Sequence, residues 1–305
     1  MLKDRKVYIN GKFVEWGQAG VHLMSHSFAR GSAIFEVISF HKTDLGAAIF
    51  RLGEHVDRLF GTADLLLMEL PLSKQATREA VLETVKINQL EKGFIKLVCY
   101  YGEIVFEVLP PHRPLDMCIV AVDPSIDLEG LDLYTSNTLS ACVSKWRKLH
   151  PETVPVESKA SGNYLNGMVA LQDAKRRGFD LGIMLDTEGF LAEGSAESIF
   201  LVKDGVLMTP ALGTILQGIT RKSLLDAAGR VGIRTEEKRL NPEALFKADE
   251  IFVSCSPQKI APIQRIEDRV LERVPGPITE KLMGLLGEIC LGKDPRLKDW
   301  LFPVR

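Results

Sequence analysis

The sequence has 305 residues, which is long enough for a sizeable core and predicts two domains, because one domain commonly spans about 100–200 residues. Hydrophobic residues make up 46% of the chain and charged residues 26%, a composition typical of a soluble globular protein. The formal net charge of -2 favours neither a nucleic-acid partner nor an acidic membrane surface.

The N-terminal part of the chain predicts a hairpin followed by alternating strands and helices. Asn10-Gly11 lies between two short alternating segments and predicts the turn of a β-hairpin. Gly31, with the small residues after it, predicts the start of a helical turn or short helix that leads into a strand. Strands are predicted at residues 37–40, 49–52, 93–101 and 117–122, and helices from Gly53 onward and over residues 73–88.

The second half predicts shorter strands separated by helices. Residues 149–156 contain two prolines and exclude a regular helix immediately before Lys159. Strands are predicted at residues 139–144, 182–185, 198–202, 206–208 and 250–254, and helices over 163–177, from 216 to about 231, and after Gly276.

Two irregular segments are predicted in or directly after the N-terminal half, a loop and a linker. Residues 101–114 are rich in proline, glycine and aromatic residues, and loops of this kind often line binding sites. Residues 123–130 combine proline, glycine and acidic residues and predict a linker. We therefore predict a small α/β domain over residues 1–122, a linker over 123–134 and a larger domain over 135–305.

Cysteines and histidines show no functional spacing. The five cysteines are scattered without a Cys-x-x-Cys pair, and the six histidines are equally dispersed, so we expect neither a disulfide framework nor a metal site. The start Met-Leu-Lys-Asp-Arg-Lys does not resemble a signal peptide, and no apolar run reaches the length of a membrane span. We expect a cytoplasmic protein.

The stretch from Lys159 to Phe200 contains the residues with the clearest chemical potential. Lys159 lies in a turn of small residues before a predicted helix, and Glu193 follows a predicted strand. A Schiff-base lysine and an acid for the pyridine nitrogen are the two protein groups that a pyridoxal phosphate (PLP) enzyme needs. The predicted helix start at Gly218-Ile-Thr220 suits the phosphate, because free amides and the helix dipole attract anions.

Arginine and hydroxyl side chains could complete a phosphate site. Arg58, Thr220 and Ser256 supply a charge and two hydroxyls. Each feature alone has an ordinary explanation: Arg58 and Arg30 could be solvent-facing arginines, although the guanidinium of Arg30 could also bind a carboxylate. The PLP hypothesis depends on finding all of these features in order in one chain.

Several segments together resemble the fold-type IV PLP enzymes, the class IV aminotransferases, and match the branched-chain amino acid aminotransferases best. The matching segments are Phe50-Arg-Leu-Gly-Glu-His-Val-Asp-Arg-Leu59, Lys159-Ala-Ser-Gly-Asn-Tyr-Leu-Asn166, Leu185-Asp-Thr-Glu-Gly189, Glu193-Gly-Ser-Ala-Glu-Ser-Ile-Phe200, Leu216-Gln-Gly-Ile-Thr-Arg221 and Ala248-Asp-Glu-Ile-Phe252. The resemblance implies two α/β domains with PLP in the cleft between them, the larger C-terminal domain having a β-barrel-like core, and usually a homodimer.

The resemblance also implies roles for individual residues. Lys159 would form the Schiff base and move the substrate Cα proton, Tyr164 would bind the phenolic oxygen of PLP, and Glu193 would bind its pyridine nitrogen. Leu216 would pack on the ring. The phosphate would be held by Arg58, Gly218, Ile219 through its backbone amide, Thr220 and Ser256.

The substrate side departs from the branched-chain pattern. Branched-chain enzymes usually have a tyrosine at the position of Arg30, Tyr-x-Arg in place of Phe94-Ile-Lys96, and Thr-Gly-Thr-Ala in place of Ser254-Cys-Ser-Pro257. We hypothesise that Arg30 or Lys96 pairs with a substrate carboxylate. The predicted substrate-binding residues are Arg30, Phe35, Lys96, Cys255 and Ser256.

The leading hypothesis is a transaminase that moves an amino group between a branched-chain or other apolar L-amino acid and 2-oxoglutarate. The alternatives are a D-amino acid or (R)-amine transaminase and a lyase similar to aminodeoxychorismate lyase. A non-catalytic protein that retains the fold is a further alternative, but it would be expected to have lost Lys159 or Glu193, and both are present.

Overall fold

The structure, a computed structural model, describes residues 2–128 and 138–305. These residues form two compact units. Unit 1 contains residues 2–128, Ser158–Gly162 and Glu288–Arg305, and unit 2 contains residues 138–157 and Asn163–Gly287. Each unit has one β-sheet and its own helices, which confirms the predicted mixed α/β class.

Unit 1 contains a seven-stranded sheet in which all neighbouring strands are antiparallel. Its strand order is β15-β4-β3-β5-β6-β1-β2. The strands are β1 Lys6–Ile9, β2 Lys12–Glu15, β3 Ile34–Thr43, β4 Gly46–Phe50, β5 Gly93–Tyr100, β6 Asp116–Val122 and β15 Leu301–Pro303. The hairpin prediction is confirmed, since Asn10 and Gly11 adopt positive φ angles of 47° and 87° between β1 and β2.

The helices of unit 1 are α1 His26–Arg30, α2 Leu52–Leu65, α3 Lys74–Ile87 and α4 Pro124–Asp127. Apolar side chains of α2 and α3 pack with those of the sheet in one buried core. Ser73 caps α3, because its side chain accepts a hydrogen bond from Ala76 N at 3.2 Å. The prediction for Gly31 was wrong: it ends α1 with a φ of 68°, a left-handed conformation that glycine adopts without strain.

Unit 2 contains a mixed sheet of eight strands. Its order is β11-β10-β9-β12-β13-β7-β8, and β14 pairs with β13. The strands are β7 Leu139–Val143, β8 Leu181–Ile183, β9 Ser198–Lys203, β10 Val206–Pro210, β11 Thr235–Lys238, β12 Glu250–Ser254, β13 Ala261–Ile266 and β14 Arg269–Val270. Buried aliphatic side chains of β8, β9, β12 and β13 form its core.

Within the described residues, the remaining helices are four α-helices that begin in unit 2 and four short 3-10 helices. The α-helices are α5 Tyr164–Arg176, α6 Ile219–Arg230, α7 Ala244–Lys247 and α8 Pro277–Cys290. The 3-10 helices are Leu2–Asp4, Trp16–Gln18, Ser161–Asn163 and Pro295–Trp300. Among the helices of residues 2–128 and 138–305, none has the length and apolar character needed to cross a membrane.

The compact units and the predicted domain limits differ in two places. Ser158–Gly162 and Glu288–Arg305 lie in unit 1, whereas the prediction placed all of residues 135–305 in the second domain. Both segments join unit 1 through backbone pairing with β3 and β4. Of the predicted linker 123–134, residues 129–134 lie outside the described residues, and residues 124–127 form α4.

Candidate active site

Backbone hydrogen bonds fix Lys159 within unit 1. The carbonyl oxygen of Lys159 accepts a hydrogen bond from Phe35 N at 3.1 Å, and Ser161 N donates to Ala33 O at 2.8 Å. On its other side, Lys159 N donates to Thr62 Oγ1 on α2 at 3.1 Å. The lysine is thus held between the start of β3 and helix α2.

Lys159 is 9% exposed, and its side chain lies beside an aromatic ring. Its Nζ is 4.9 Å from the centroid of the Phe35 ring, and Lys96 Nζ is 5.7 Å from the same centroid. Lys96 lies on β5 opposite Val37, diagonal to Phe35 on the neighbouring strand. Phe35 therefore brings two of the predicted site lysines to one ring, where they can attract an anionic group.

Arg58 is not a solvated surface arginine. Its side chain is 11% exposed, and its Nε and Nη2 each donate to Glu36 at 2.7 Å. His55 Nδ1 lies 2.7 Å from the same carboxylate. Burial alone would raise the pKa of Glu36, but the charges and hydrogen bonds of Arg58 and His55 lower it to about 2. This bidentate pair fixes the plane of the Arg58 guanidinium.

The helix that carries Arg58 also contacts the Lys159 backbone. Thr62, which accepts the hydrogen bond from Lys159 N, lies one helical turn after Arg58 on α2. The structure thus brings together the predicted Schiff-base lysine and the helix of the predicted phosphate ligand within unit 1.

Arg30 is anchored to the loop predicted to line a site. Arg30 Nη2 donates to the carbonyl oxygen of Phe106 at 2.9 Å, while much of the arginine remains exposed. This contact joins the end of α1 to residues 101–114.

Glu193 is positioned in unit 2 by the segment that follows β8. Its carbonyl oxygen accepts a hydrogen bond from Met184 N at 2.9 Å, and the residue is 8% exposed. Its Oε2 accepts a weak hydrogen bond from Leu216 N at 3.3 Å, and its Oε1 lies 2.5 Å from Lys148 Nζ. The contact with Leu216 brings two predicted cofactor residues together.

The N-terminus of α6 has the features of an anion site. Its N-cap, Gly218, has no side chain to bind the first backbone amides, and the first turn contains no acidic residue. Ile219 and Thr220 are buried. A Cβ atom at Gly218 would lie 2.9 Å from Ser198 Oγ, so a larger residue would crowd this helix start.

Three further predicted residues lie in unit 2. Tyr164 opens α5, and Cys255 and Ser256 directly follow β12. Ser254, the last residue of β12, has a buried hydroxyl with no hydrogen-bond partner among the described residues.

Sequence reasoning missed Glu36, His55, Thr62 and Lys148. A glutamate between the apolar residues Phe35 and Val37 was a usable signal, because a buried carboxylate requires a partner. The sequence gives no comparable signal for Lys148, since its role depends on pairing between distant segments.

The two units, each taken by itself, contain groups that match the three functional ends of PLP. In unit 1 these are a buried lysine that could react with the aldehyde and an oriented arginine that could bind the phosphate. In unit 2 they are a buried carboxylate that could bind the pyridine nitrogen and a helix start with uncapped amides that could bind the phosphate. The donor set therefore fits this cofactor.

Sequence comparison identifies the family. A family model described as amino-transferase class IV matches residues 33–266. The branched-chain-amino-acid aminotransferase of Salmonella typhimurium is 33% identical over 303 residues, which cover 98% of this chain and 97% of that protein. The predicted resemblance is confirmed.

Solved structures agree over the whole chain. The branched-chain aminotransferase of Thermoproteus uzoniensis with norvaline has a TM-score of 0.92 and 35% identity, covering 99% of both chains. The T.th. branched-chain amino acid aminotransferase complexed with N-(5'-phosphopyridoxyl)-L-glutamate has a TM-score of 0.93 and 30% identity, covering 100% of both chains. The chain belongs to the class IV aminotransferases and is a PLP-dependent aminotransferase.

Proposed function

We propose that the protein transfers amino groups between a branched-chain or other apolar L-amino acid and 2-oxoglutarate, with Lys159 holding PLP as a Schiff base. The observation that carries this proposal is the buried Lys159, fixed through its backbone on both sides and placed beside Phe35. The branched-chain relatives support the donor class, and two similar structures contain norvaline and a phosphopyridoxyl derivative of L-glutamate, respectively.

We propose a role in cofactor binding for each residue that the class IV resemblance implies. When bound, PLP supplies an electron sink for the bonds at the substrate Cα. Lys159 would hold the aldehyde carbon and, once displaced by the amino donor, move the Cα proton through Nζ. The other proposed ligands are Tyr164 for the phenolic oxygen, Glu193 for the pyridine nitrogen, Leu216 for the ring face, and Arg58, Gly218, Ile219, Thr220 and Ser256 for the phosphate.

Lys96 is the better placed of the two proposed carboxylate partners. Its ammonium lies at the ring that also borders Lys159 Nζ, whereas the Arg30 guanidinium already donates to Phe106 O. We propose that Phe35, Lys96, Cys255 and Ser256 contact the substrate and that Arg30 holds the loop in place or pairs with the carboxylate itself.

A pair of variants tests whether Lys96 or Arg30 binds the substrate carboxylate. We expect Lys96→Ala to lose activity with amino acid donors far more than with simple amine donors, because amines lack the carboxylate. Arg30→Ala is compared in the same assay, and Lys42→Ala, which removes an exposed lysine paired with Glu91, is the control. Equal losses with both donor types would exclude a carboxylate role for the residue changed.

We also propose a cytoplasmic homodimer. Several large apolar side chains on and near α1 and in the loop over residues 101–114 are exposed, and His26 N donates to Glu103 O at 2.9 Å to join these segments. An apolar patch of this kind favours self-association. Within residues 2–128 and 138–305, none of the five cysteines takes part in a disulfide, as is usual in a reducing compartment. Sedimentation of wild type and Phe106→Asp tests the dimer, and an unchanged dimer in the variant would argue against this surface.

Borohydride treatment tests the Schiff base. We expect the purified protein to be yellow and to lose its colour on reduction, which would fix the cofactor covalently, whereas Lys159→Ala should not retain PLP after reduction and denaturation. Failure of wild-type protein to take up added PLP would refute the proposal.

A donor panel tests the substrate class. We expect turnover of apolar L-amino acids with 2-oxoglutarate. Selective use of D-amino acids or (R)-amines would indicate the first alternative activity, and release of pyruvate without an amino acceptor would indicate a lyase.

A further inference from the structure

A buried lysine contacts the carboxylate proposed to bind the pyridine nitrogen. Lys148 Nζ lies 2.5 Å from Glu193 Oε1, and the two side chains are only 9% and 10% exposed. Glu193 Oε2 accepts a hydrogen bond from the backbone amide of Leu216 at 3.3 Å. The carboxylate is thus held at both oxygens, with the lysine making the shorter contact.

The backbone of unit 2 fixes both partners to one short segment. Lys148 N donates to Leu185 O at 2.8 Å, and Met184 N donates to Glu193 O at 2.9 Å. The residues that follow β8 therefore hold Lys148 and Glu193 in register. This arrangement differs from a surface ion pair between two long, mobile side chains, which contributes little to stability.

A second carboxylate, that of Glu197, lies near Glu193. Burial raises the pKa of Glu197, and the nearby charge of Glu193 raises it further. Glu197 Oε2 accepts a hydrogen bond from the backbone amide of Ala196, its neighbour in sequence, at 2.9 Å. Lys148 supplies the cation that balances Glu193 in this buried region.

We propose that Lys148 is a positioning residue that holds the Glu193 carboxylate in place as its counter-ion, so that a proton shared with PLP stays on the pyridine nitrogen. This inference rests on the proposed role of Glu193. A ring nitrogen bound by this carboxylate would lie farther from the Lys148 ammonium than the carboxylate does. Because electrostatic interaction weakens with distance, the ammonium would act more strongly on the carboxylate and would favour the arrangement in which the proton is on the nitrogen.

Charge removal and charge retention at one position provide the test. Lys148→Met removes the charge, and Lys148→Arg keeps it. Lys145→Met is the matched control, because Lys145 is an exposed lysine that also pairs with a carboxylate in the same unit, that of Asp173 at 3.1 Å. The readouts are the NMR chemical shift of the pyridine nitrogen in isotope-labelled PLP bound to the holoenzyme and the dissociation constant for PLP.

We expect Lys148→Met to move the nitrogen shift towards that of neutral pyridine and to weaken PLP binding about tenfold. Lys148→Arg and Lys145→Met should match wild type. If Lys148→Met does not fold, Lys148→Gln gives the same comparison with a polar, uncharged side chain.

An unchanged nitrogen shift in the uncharged variants would overturn the inference. The same displacement in Lys148→Met and Lys148→Arg would also overturn it, because packing rather than charge would then be responsible. A wild-type protein that does not bind PLP would instead refute the proposed function, so the two failures are distinguishable.

Discussion

Replacement of Glu36 by glutamine tests whether the buried ion pair on α2 and β3 supports the fold around Arg58. The Glu36 carboxylate accepts two hydrogen bonds from Arg58 at 2.7 Å and lies 2.7 Å from His55 Nδ1. Glutamine preserves the size of the side chain but removes its charge. The guanidinium of Arg58 then remains buried without its carboxylate partner.

The structure gives the size of the expected effect. The pKa of Glu36 falls from an ordinary 4.5 to about 2, which corresponds to about 3 kcal/mol in favour of the charged form. Breaking a buried ion pair generally costs about 3–5 kcal/mol. We therefore expect Glu36→Gln to lower the free energy of unfolding by about 3 kcal/mol at neutral pH.

The pH dependence has a defined sign. Because the folded-state pKa of Glu36 is lowered, its contribution is complete above the ordinary value of 4.5 and disappears as the pH falls through about 2. The difference in stability between wild type and Glu36→Gln should therefore shrink over that interval.

Urea unfolding of the apoprotein at several pH values measures both effects. Glu91→Gln is the control, because Glu91 makes an exposed pair with Lys42 at 2.6 Å and should contribute less than about 1 kcal/mol. If Glu36→Gln costs no more than Glu91→Gln, the buried pair does not stabilise the protein.

Two further substitutions test local packing. Gly167→Ala should lower the free energy of unfolding in urea by about 2 kcal/mol, because the new Cβ would lie 1.9 Å from Ser195 O. This loss is expected despite the better helix propensity of alanine. Gly229→Ala is the control, and it should be neutral or stabilising because the space at its Cβ position is open. Thr62→Val removes the acceptor 3.1 Å from Lys159 N and should cost about 1 kcal/mol and reduce turnover, and unchanged turnover would show that this bond does not position the lysine.

Much of the fold could be predicted from sequence because local signals and tertiary structure agree. The Asn10-Gly11 turn and the capped helix after Ser73 have clear chemical signatures, and both occur as expected. The strand Thr235–Lys238 could not be predicted, because Thr-Glu-Glu-Lys has no apolar alternation. It becomes a strand through parallel pairing with β10.

The candidate site was predictable as a set of residue types but not as a set of contacts. Arg58 alone was compatible with a solvated surface residue, and only the position of Glu36 on β3 shows that its guanidinium is buried and oriented. Lys148 could not be identified as the partner of Glu193, because their contact depends on two chain segments pairing with the residues after β8. Sequence motifs show which chemical groups are present, whereas backbone pairing between distant segments determines which of these groups are in contact.

The location of Lys159 shows why its motif was insufficient to place it. The sequence assigned the lysine to the same domain as Glu193, yet Ser158–Gly162 belongs to unit 1. The reason is pairing with the start of β3 and the hydrogen bond to Thr62 on α2, both far earlier in the chain. A substitution that disturbs β3 or α2 should therefore displace Lys159 while leaving the contact between Glu193 and Lys148 intact, because that pair is held within unit 2.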